Sequence, residues 1–341
     1  MENKRPLLSI CIPTYNRSRY LKSNLLAIFN QVKGKDDIEI IISNNCSTDE
    51  TESVAKPYLN IPFVKYYKQV ENIGGIKNIL KLAKEYANGE FCWIIGDDDF
   101  IVKGAIERVI TIIKKYPNID YIYAKISHLS MQEYNTSGVL QLPSYVEASN
   151  NLKTNFEIHE IAKFEELISP QYSIIFLGEL MGSIFRRKIW LQYNLQPQGE
   201  YLTTLETTYP HCVILANTFF GKKAIYTKMP LVLALDGARE WWYKVGYILI
   251  VHVKSLLDLY KEKGLDKHIL KKCYQTYIEI TFSYAVKYLM NKNSPQRNQI
   301  SLSQYFLFLL MHPILFCKVF MAIILRYIKT SICSSLKSNV I

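Results

Sequence analysis

Apolar runs and polar clusters alternate regularly through the first 115 residues. Leu7–Ile12 is stopped by Pro13, and Ile38–Ser43 is stopped by Asn44-Asn45. Phe63–Tyr67 is a third run and Phe91–Ile95 a fourth. Each run is short and rich in β-branched or aromatic residues, as strands buried on both faces are. Between them, apolar positions recur at helical spacing over Tyr20–Gln31, Thr48–Tyr58, Gly74–Asn88 and Lys103–Tyr116. This alternation predicts an α/β fold built on a doubly wound, mainly parallel sheet. Such sheets bind ligands outside the carboxyl ends of their strands. The polar clusters Pro13–Arg17, Asn44–Asp49, Glu71–Gly75 and Gly96–Asp99 all fall at that edge.

The fourth run leads into Gly96-Asp97-Asp98-Asp99. Three adjacent carboxylates repel one another unless a cation or strong donors offset their charge. A hard divalent cation with oxygen ligands suits them, and a cation bound that way usually carries a phosphate as well. The plain alternative is a solvated acidic turn.

Together these pieces resemble the GT-A glycosyltransferases of family 2. The matching segments are Ile12-Pro13-Thr14-Tyr15-Asn16-Arg17, Ser43 to Thr51, Asn72-Ile73-Gly74 with Asn78, and the acidic turn, in family order over residues 5 to about 115. Met181–Arg187 and Thr208–His211 make the chain similar to the abequosyltransferase-like enzymes of bacterial O-antigen assembly. The resemblance implies a nucleotide-sugar donor and a helical module after the GT-A domain. Pro13 and Tyr15 would hold the base and ribose, with Asn16, Arg17, Asp49, Asn72 and Gly74 completing the nucleotide site. Asn44 stands where relatives commonly carry an Asp that binds uracil, and an amide there leaves cytosine and guanine open. Lys77 is either a diphosphate contact or a solvated lysine.

The acidic turn departs from the family pattern, because Gly96 stands where an Asp is common. Asp98 is then the expected direct metal ligand, with Asp97 and Asp99 binding through water or meeting sugar hydroxyls. Mn²⁺ or Mg²⁺ suits this all-oxygen set better than zinc. An inverting transfer also needs a general base. Among Glu179, Glu206, His211 and Asp236, Glu206 is the first choice and His211 the second, while Glu206 also fits a helix start. Arg186 and Arg187 are adjacent in a strand and point to opposite faces, so at most one binds phosphate. Trp241-Trp242-Tyr243 reads as an acceptor wall, a core element or a membrane-interface group.

Length and composition divide the chain. Its 341 residues suggest a domain over 1–240, with a nucleotide half 1–115 and an acceptor half 116–240, followed by a module over 241–341. Residues 128–160 read as a polar, irregular loop. Seven scattered cysteines without a C-x-x-C pair argue for a reducing compartment. Pro6 leads directly into the first strand, so no cleavable signal peptide is expected. The net charge is +11, and residues 261–341 hold 12 Lys and Arg against 3 Asp and Glu, a net +9. The basic excess therefore belongs to the tail, which also holds the apolar run Tyr305–Leu325, broken by Pro313 and Lys318. Two short helices lying on an anionic membrane surface, with Lys318, Arg326, Lys329 and Lys337 toward lipid phosphates, fit better than a span. A packing tail is the plain alternative.

These readings converge on an enzyme at the cytoplasmic face of a bacterial inner membrane, peripheral or monotopic. It would transfer a sugar to a polyprenyl-diphosphate-linked or polysaccharide acceptor. A nucleotidyltransferase is disfavoured by the Pro13–Arg17 loop. No nucleic-acid partner is expected, because the basic residues border apolar runs. Gly96 and Asn44 keep open a catalytically degenerate glycan-binding or scaffold protein of the same fold.

Overall fold

A computed structural model describes residues 5–32, 37–154, 157–291, 296–317 and 320–321. The chain divides into two compact units, Met1–Trp242 and Tyr243–Ile341.

The first unit is built on a nine-stranded mixed sheet. Strands β1 (Leu8–Thr14), β2 (Ile38–Asn44), β3 (Val64–Lys68) and β4 (Phe91–Ile94) pair in parallel in the order β3-β2-β1-β4. The helices α1 (Ser18–Phe29), α2 (Thr51–Ala55) and α3 (Gly75–Lys81) make the crossovers. Helix α1 buries Leu21, Leu25 and Ile28, worth about 1.5–3 kcal/mol each. Pro13 is tolerated in a central strand because β4 stops pairing with β1 at Cys11↔Ile94, so no ladder donor is needed beyond it.

Beyond β4 the sheet is mixed. Strand β5 (Asp99–Ile101) begins too soon after β4 for a parallel crossover, and it pairs antiparallel with β9 (Ala224–Asp236). Helix α4 (Ala105–Lys115) then leads to β6 (Tyr121–Ser130). Strand β8 (Ser183–Arg186) lies antiparallel between β4 and β6, β6 and β9 are parallel, and β7 (Ile158–Ile161) pairs antiparallel with β9.

The described residues of 128–160 are not an irregular loop. They extend β6 and then form α5 (Met131–Thr136) and α6 (Pro143–Thr154). Tyr134, Leu142, Tyr145, Ala148 and Leu152 join the buried core, so the segment is an apolar-faced cover with a polar exterior.

Arg186 and Arg187 bind structure rather than phosphate. Arg186 pairs with Glu90 and Asp120, donates to the carbonyls of Pro117 and Ile119, and lies over the Phe91 ring. Arg187 donates to the carbonyls of Ala83 and Lys84. The guanidinium fork meets several acceptors at once, which a lysine cannot do.

The remaining helices of the first unit are α7 (Arg187–Trp190), α8 (Leu205–Thr208) and α9 (Pro210–Thr218). The second unit is helical: α10 (Val245–Tyr247), α11 (Val253–Glu262), α12 (Lys267–Met290) and α13 (Leu302–Met311). Tyr277 of α12 meets the rings of Tyr305 and Phe308 on α13, and Thr281 hydrogen-bonds the Tyr305 hydroxyl at 2.9 Å. Among the described residues no helix is long and apolar enough to cross a membrane. Lys318, Arg326, Lys329 and Lys337 lie outside the described residues.

Candidate functional site

The carboxyl ends of β1, β2 and β4 and the start of α3 line one groove of about 420 Å³. Pro13, Thr14, Tyr15 and Arg17 come from the first loop, Asn45 from the second, and Asn72, Gly74, Gly75 and Asn78 from the third. Gly96, Asp97 and Asp98 follow β4, and Tyr201, Glu240 and Trp241 come from the second half of the unit. A cavity of about 560 Å³ lies at the opposite, amino ends of β6 and β9.

Polar side chains lace the loops around this groove. Asn16 adopts a left-handed backbone (φ 52°), which Asn tolerates better than most residues. Its carboxamide accepts from the Thr48 N–H at 2.7 Å, and its own N–H donates to Ser47 Oγ. Asp49 accepts from the backbone N–H of Ser18 and Thr51, the first residues of α1 and α2. Burial would raise its pKa, but the Thr51 and Ser18 hydrogen bonds outweigh that and hold the carboxyl below its usual range. Neither Asn16 nor Asp49 is among the groove-lining residues; both set the shape of the edge.

Asn44 and Asn45 divide the work that Asn44 alone was expected to do. Neighbours at a strand end point to opposite sides. Asn44 is fully buried; it donates to the Tyr66 hydroxyl and accepts from the Ser47 N–H. Asn45 lines the groove, donating to Asn72 Oδ1 at 2.8 Å and accepting from the Ile73 N–H at 3.0 Å. Asn72 also accepts from the Gly74 N–H. Gly74 has φ +84°, and nothing lies within 4 Å of where its Cβ would be. It opens α3 with backbone bare to the groove, the close approach that glycine permits. Lys77 is exposed on α3.

The acidic turn is held from two sides. Asn24 of α1 donates to the carbonyls of Gly96 (3.0 Å) and Asp99 (2.6 Å). Arg17 spans the carboxylates, with Nε 3.2 Å from Asp97 Oδ1 and Nη2 2.7 Å from Asp98 Oδ2. The same Nη2 donates to the Ala238 carbonyl at 3.0 Å, and the guanidinium lies 4.9 Å from the Tyr20 ring centroid. Burial pushes the Asp97 carboxyl up to about 7; Arg17 pulls it back and Asp98 adds to the rise. Asp99 is buried inside β5, not at the groove wall, and burial reinforced by Asp98 holds its carboxyl well above the usual range. The glycine at 96 now has a reason. A Cβ there would lie 2.7 Å from Asp99 Oδ2 and 2.9 Å from Asp98 Oδ1, so the folded carboxylates occupy the room a side chain would need.

Neither of the two expected bases lines the groove. Glu206 sits in the first turn of α8 and accepts from the Gln198 N–H at 3.4 Å. His211 is 4 % exposed in α9, with Nε2 3.1 Å from the Leu177 carbonyl. Burial lowers its pKa to about 4 against hydrogen bonds from that segment. Glu179 is raised by burial and lies 3.2 Å from the Tyr123 hydroxyl; Asp236 pairs with His128 at 3.0 Å. The carboxylate that lines the groove from the second half is Glu240. Trp241 lines it as well, whereas Trp242 is exposed.

The donor set suits a hard divalent cation. Asp97 and Asp98 both lie within reach of one cation, the Arg17 guanidinium, and the available atoms are carboxylate oxygens. Among the described residues no three or more His, Cys, Asp or Glu side chains converge as a closed metal cage. Two carboxylates with substrate phosphates supplying further ligands is the arrangement usual for Mg²⁺-type ions.

Comparison with known proteins agrees with this architecture. The model of Glycosyl transferase family 2 matches residues 9–166. The abequosyltransferase RfbV of Salmonella typhimurium is 40% identical over 270 residues, 75% of this chain and 76% of its own. The Campylobacter jejuni GalNAc(5)-diNAcBac-PP-undecaprenol beta-1,3-glucosyltransferase is 26% identical, over 82% of this chain and 83% of its own. The crystal structure of S. aureus TarS 1-349 in complex with UDP superimposes with a TM-score of 0.54 at 18% identity, covering 81% of this chain and 72% of that one. Its sequence and fold together place the chain in glycosyltransferase family 2, with the GT-A fold.

Proposed function

We propose that this enzyme transfers one sugar from a nucleotide-sugar to a lipid-linked or cell-surface polysaccharide acceptor, with Mn²⁺ or Mg²⁺ at the acidic turn. The observation that carries the reading is one groove holding a Gly-opened helix start, two carboxylates and a facing Glu240. Tyr15 offers an aromatic face for the base, and the bare backbone at Gly74 lets the nucleotide approach closely. Asp97 and Asp98 would hold the cation, which when bound supplies Lewis acidity that neutralises charge on the departing diphosphate. Asn24 and Asn45 keep the two flanking loops in place. Glu240 takes the role of accepting the acceptor hydroxyl's proton, in preference to Glu206 and His211.

The acceptor class is supported by the names of the two relatives, an abequosyltransferase and an undecaprenol-linked glucosyltransferase. Contact with a membrane surface is supported by α13. It buries Leu302, Tyr305, Phe308 and Leu309 but leaves Leu307 (55 %) and Leu310 (74 %) exposed, with Ile314 (76 %) just beyond. Such an apolar face, followed in sequence by a basic stretch, suits an interfacial helix.

The test is transfer of radiolabelled sugar from a set of nucleotide-sugars into lipid-extractable glycan. Wild type should incorporate label from one donor, and Asp98→Asn should lower incorporation by 10²-fold or more with an unchanged fold. Label transferred equally by Asp98→Asn would refute the metal assignment. No incorporation from any donor would favour a degenerate glycan-binding protein.

A further inference from the structure

Arg17 occupies an unusual position for a residue in a loop expected to contact only the nucleotide. It is 20 % exposed along its side chain, its Nε and Nη2 reach two different carboxylates, and Nη2 also holds the Ala238 carbonyl. Ala238 precedes Arg239, Glu240 and Trp241, so one guanidinium joins the first loop, the acidic turn and the segment that carries the facing carboxylate. Glu240 adds to the field that keeps Arg17 charged.

We propose that Arg17 is a resident counter-cation that competes with the divalent metal for Asp98, and that its displacement unlatches residues 237–242. The electrostatics follow from position. The buried Asp97 carboxylate beside the part-buried Asp98 carboxylate is unstable without a positive charge, and Arg17 supplies it. A divalent cation arriving at Asp98 meets both an occupied oxygen and a like charge. The guanidinium must therefore release Asp98, and Nη2 then no longer ties the Ala238 carbonyl in its present geometry. Arg17 is thus a positioning residue: it keeps the acidic turn folded before metal arrives and couples metal entry to freedom of the Glu240 segment. The coupling is reciprocal, as any linkage between two equilibria must be.

This inference rests on the metal reading of the acidic turn, and one experiment separates the two. Mn²⁺ binding, without nucleotide, is measured by titration with electron paramagnetic resonance on wild type, Arg17→Gln and Arg17→Lys. Hydrogen–deuterium exchange is followed for the peptide covering 237–242. Arg17→Gln should bind Mn²⁺ at least tenfold more tightly than wild type, and Arg17→Lys should fall between them. Exchange at 237–242 should rise in wild type on adding Mn²⁺ and be high in Arg17→Gln without it. Binding by all three proteins with equal affinity, or exchange that does not respond, overturns the Arg17 proposal and leaves the metal site standing. No Mn²⁺ binding by any of them overturns both. Should Arg17→Gln fail to fold, Arg17→Lys, which keeps a positive charge, decides the question by the same two readouts.

Discussion

His211 separates a structural histidine from a catalytic one, and acid is the perturbation that tells them apart. Its ring is buried against the Leu177 carbonyl and its pKa falls from 6.5 to about 4. Between those values the unfolded chain binds a proton that the folded chain refuses. Stability therefore rises with pH across this window: the contribution is full above 6.5 and is lost as pH falls toward 4. At about 1.4 kcal/mol per pH step, the gap corresponds to about 3 kcal/mol. All four tryptophans, Trp93, Trp190, Trp241 and Trp242, lie in the first unit, so tryptophan emission during urea unfolding reports that unit. His211→Asn keeps a donor near Leu177 and removes the titration. The variant should lose about 1 kcal/mol at pH 7.5 for the missing ring contacts, yet fall less steeply than wild type between pH 6.5 and 4.5. Taking the difference between the two proteins cancels the other histidines. Parallel stability profiles would refute the buried-neutral assignment. Turnover by His211→Asn should stay within a few-fold of wild type; its abolition in a folded variant would return His211 to the base role.

Other outcomes follow from the same geometry. Gly96→Asp, which adds the carboxylate that the family resemblance leads one to expect there, should destabilise the first unit by about 1–3 kcal/mol through overpacking against Asp98 and Asp99; a wild-type melting curve would show that these carboxylates move aside freely. Arg186→Lys should cost about 3 kcal/mol in urea unfolding, because Glu90, Asp120 and two carbonyls lose their shared fork; a loss below about 1 kcal/mol would contradict that reading. Leu310→Glu combined with Ile314→Glu should release the protein from sedimenting phosphatidylglycerol vesicles, whereas unchanged sedimentation would place the membrane contact elsewhere.

Much of the nucleotide half was legible in the sequence, because its strands are continuous apolar runs and its crossovers are amphipathic helices. The parallel pairing and the polar edge follow from that alternation, whereas the order β3-β2-β1-β4 is set by the fold. The second half was less legible. β5 and β8 have three and four residues, too short to carry a period, and their antiparallel pairing depends on distant β9 and β6. Residues 128–160 looked irregular because polar positions outnumber the buried Tyr134, Leu142, Tyr145 and Leu152, although the spacing of the last three was a helical signal. Within the site, the pair Asn44-Asn45 announced one inward and one outward side chain without saying which. Asn24 and Arg17 act on the acidic turn from more than 70 residues away in sequence, and such lacing has no local signature. Glu240 was hidden for the same reason. Only the fold brings its segment to the groove, whereas Glu206 and His211 sat in segments that looked like family motifs.

In the proposed mechanism the acidic turn joins a metal to a nucleotide. A thermal-shift panel of UDP, CDP, GDP and dTDP, each with and without Mn²⁺, tests it most directly when run on wild type and Asp98→Asn. One diphosphate should raise the melting temperature of wild type only with Mn²⁺, and Asp98→Asn should show no such rise. A diphosphate that stabilises both proteins equally, with or without Mn²⁺, would contradict it.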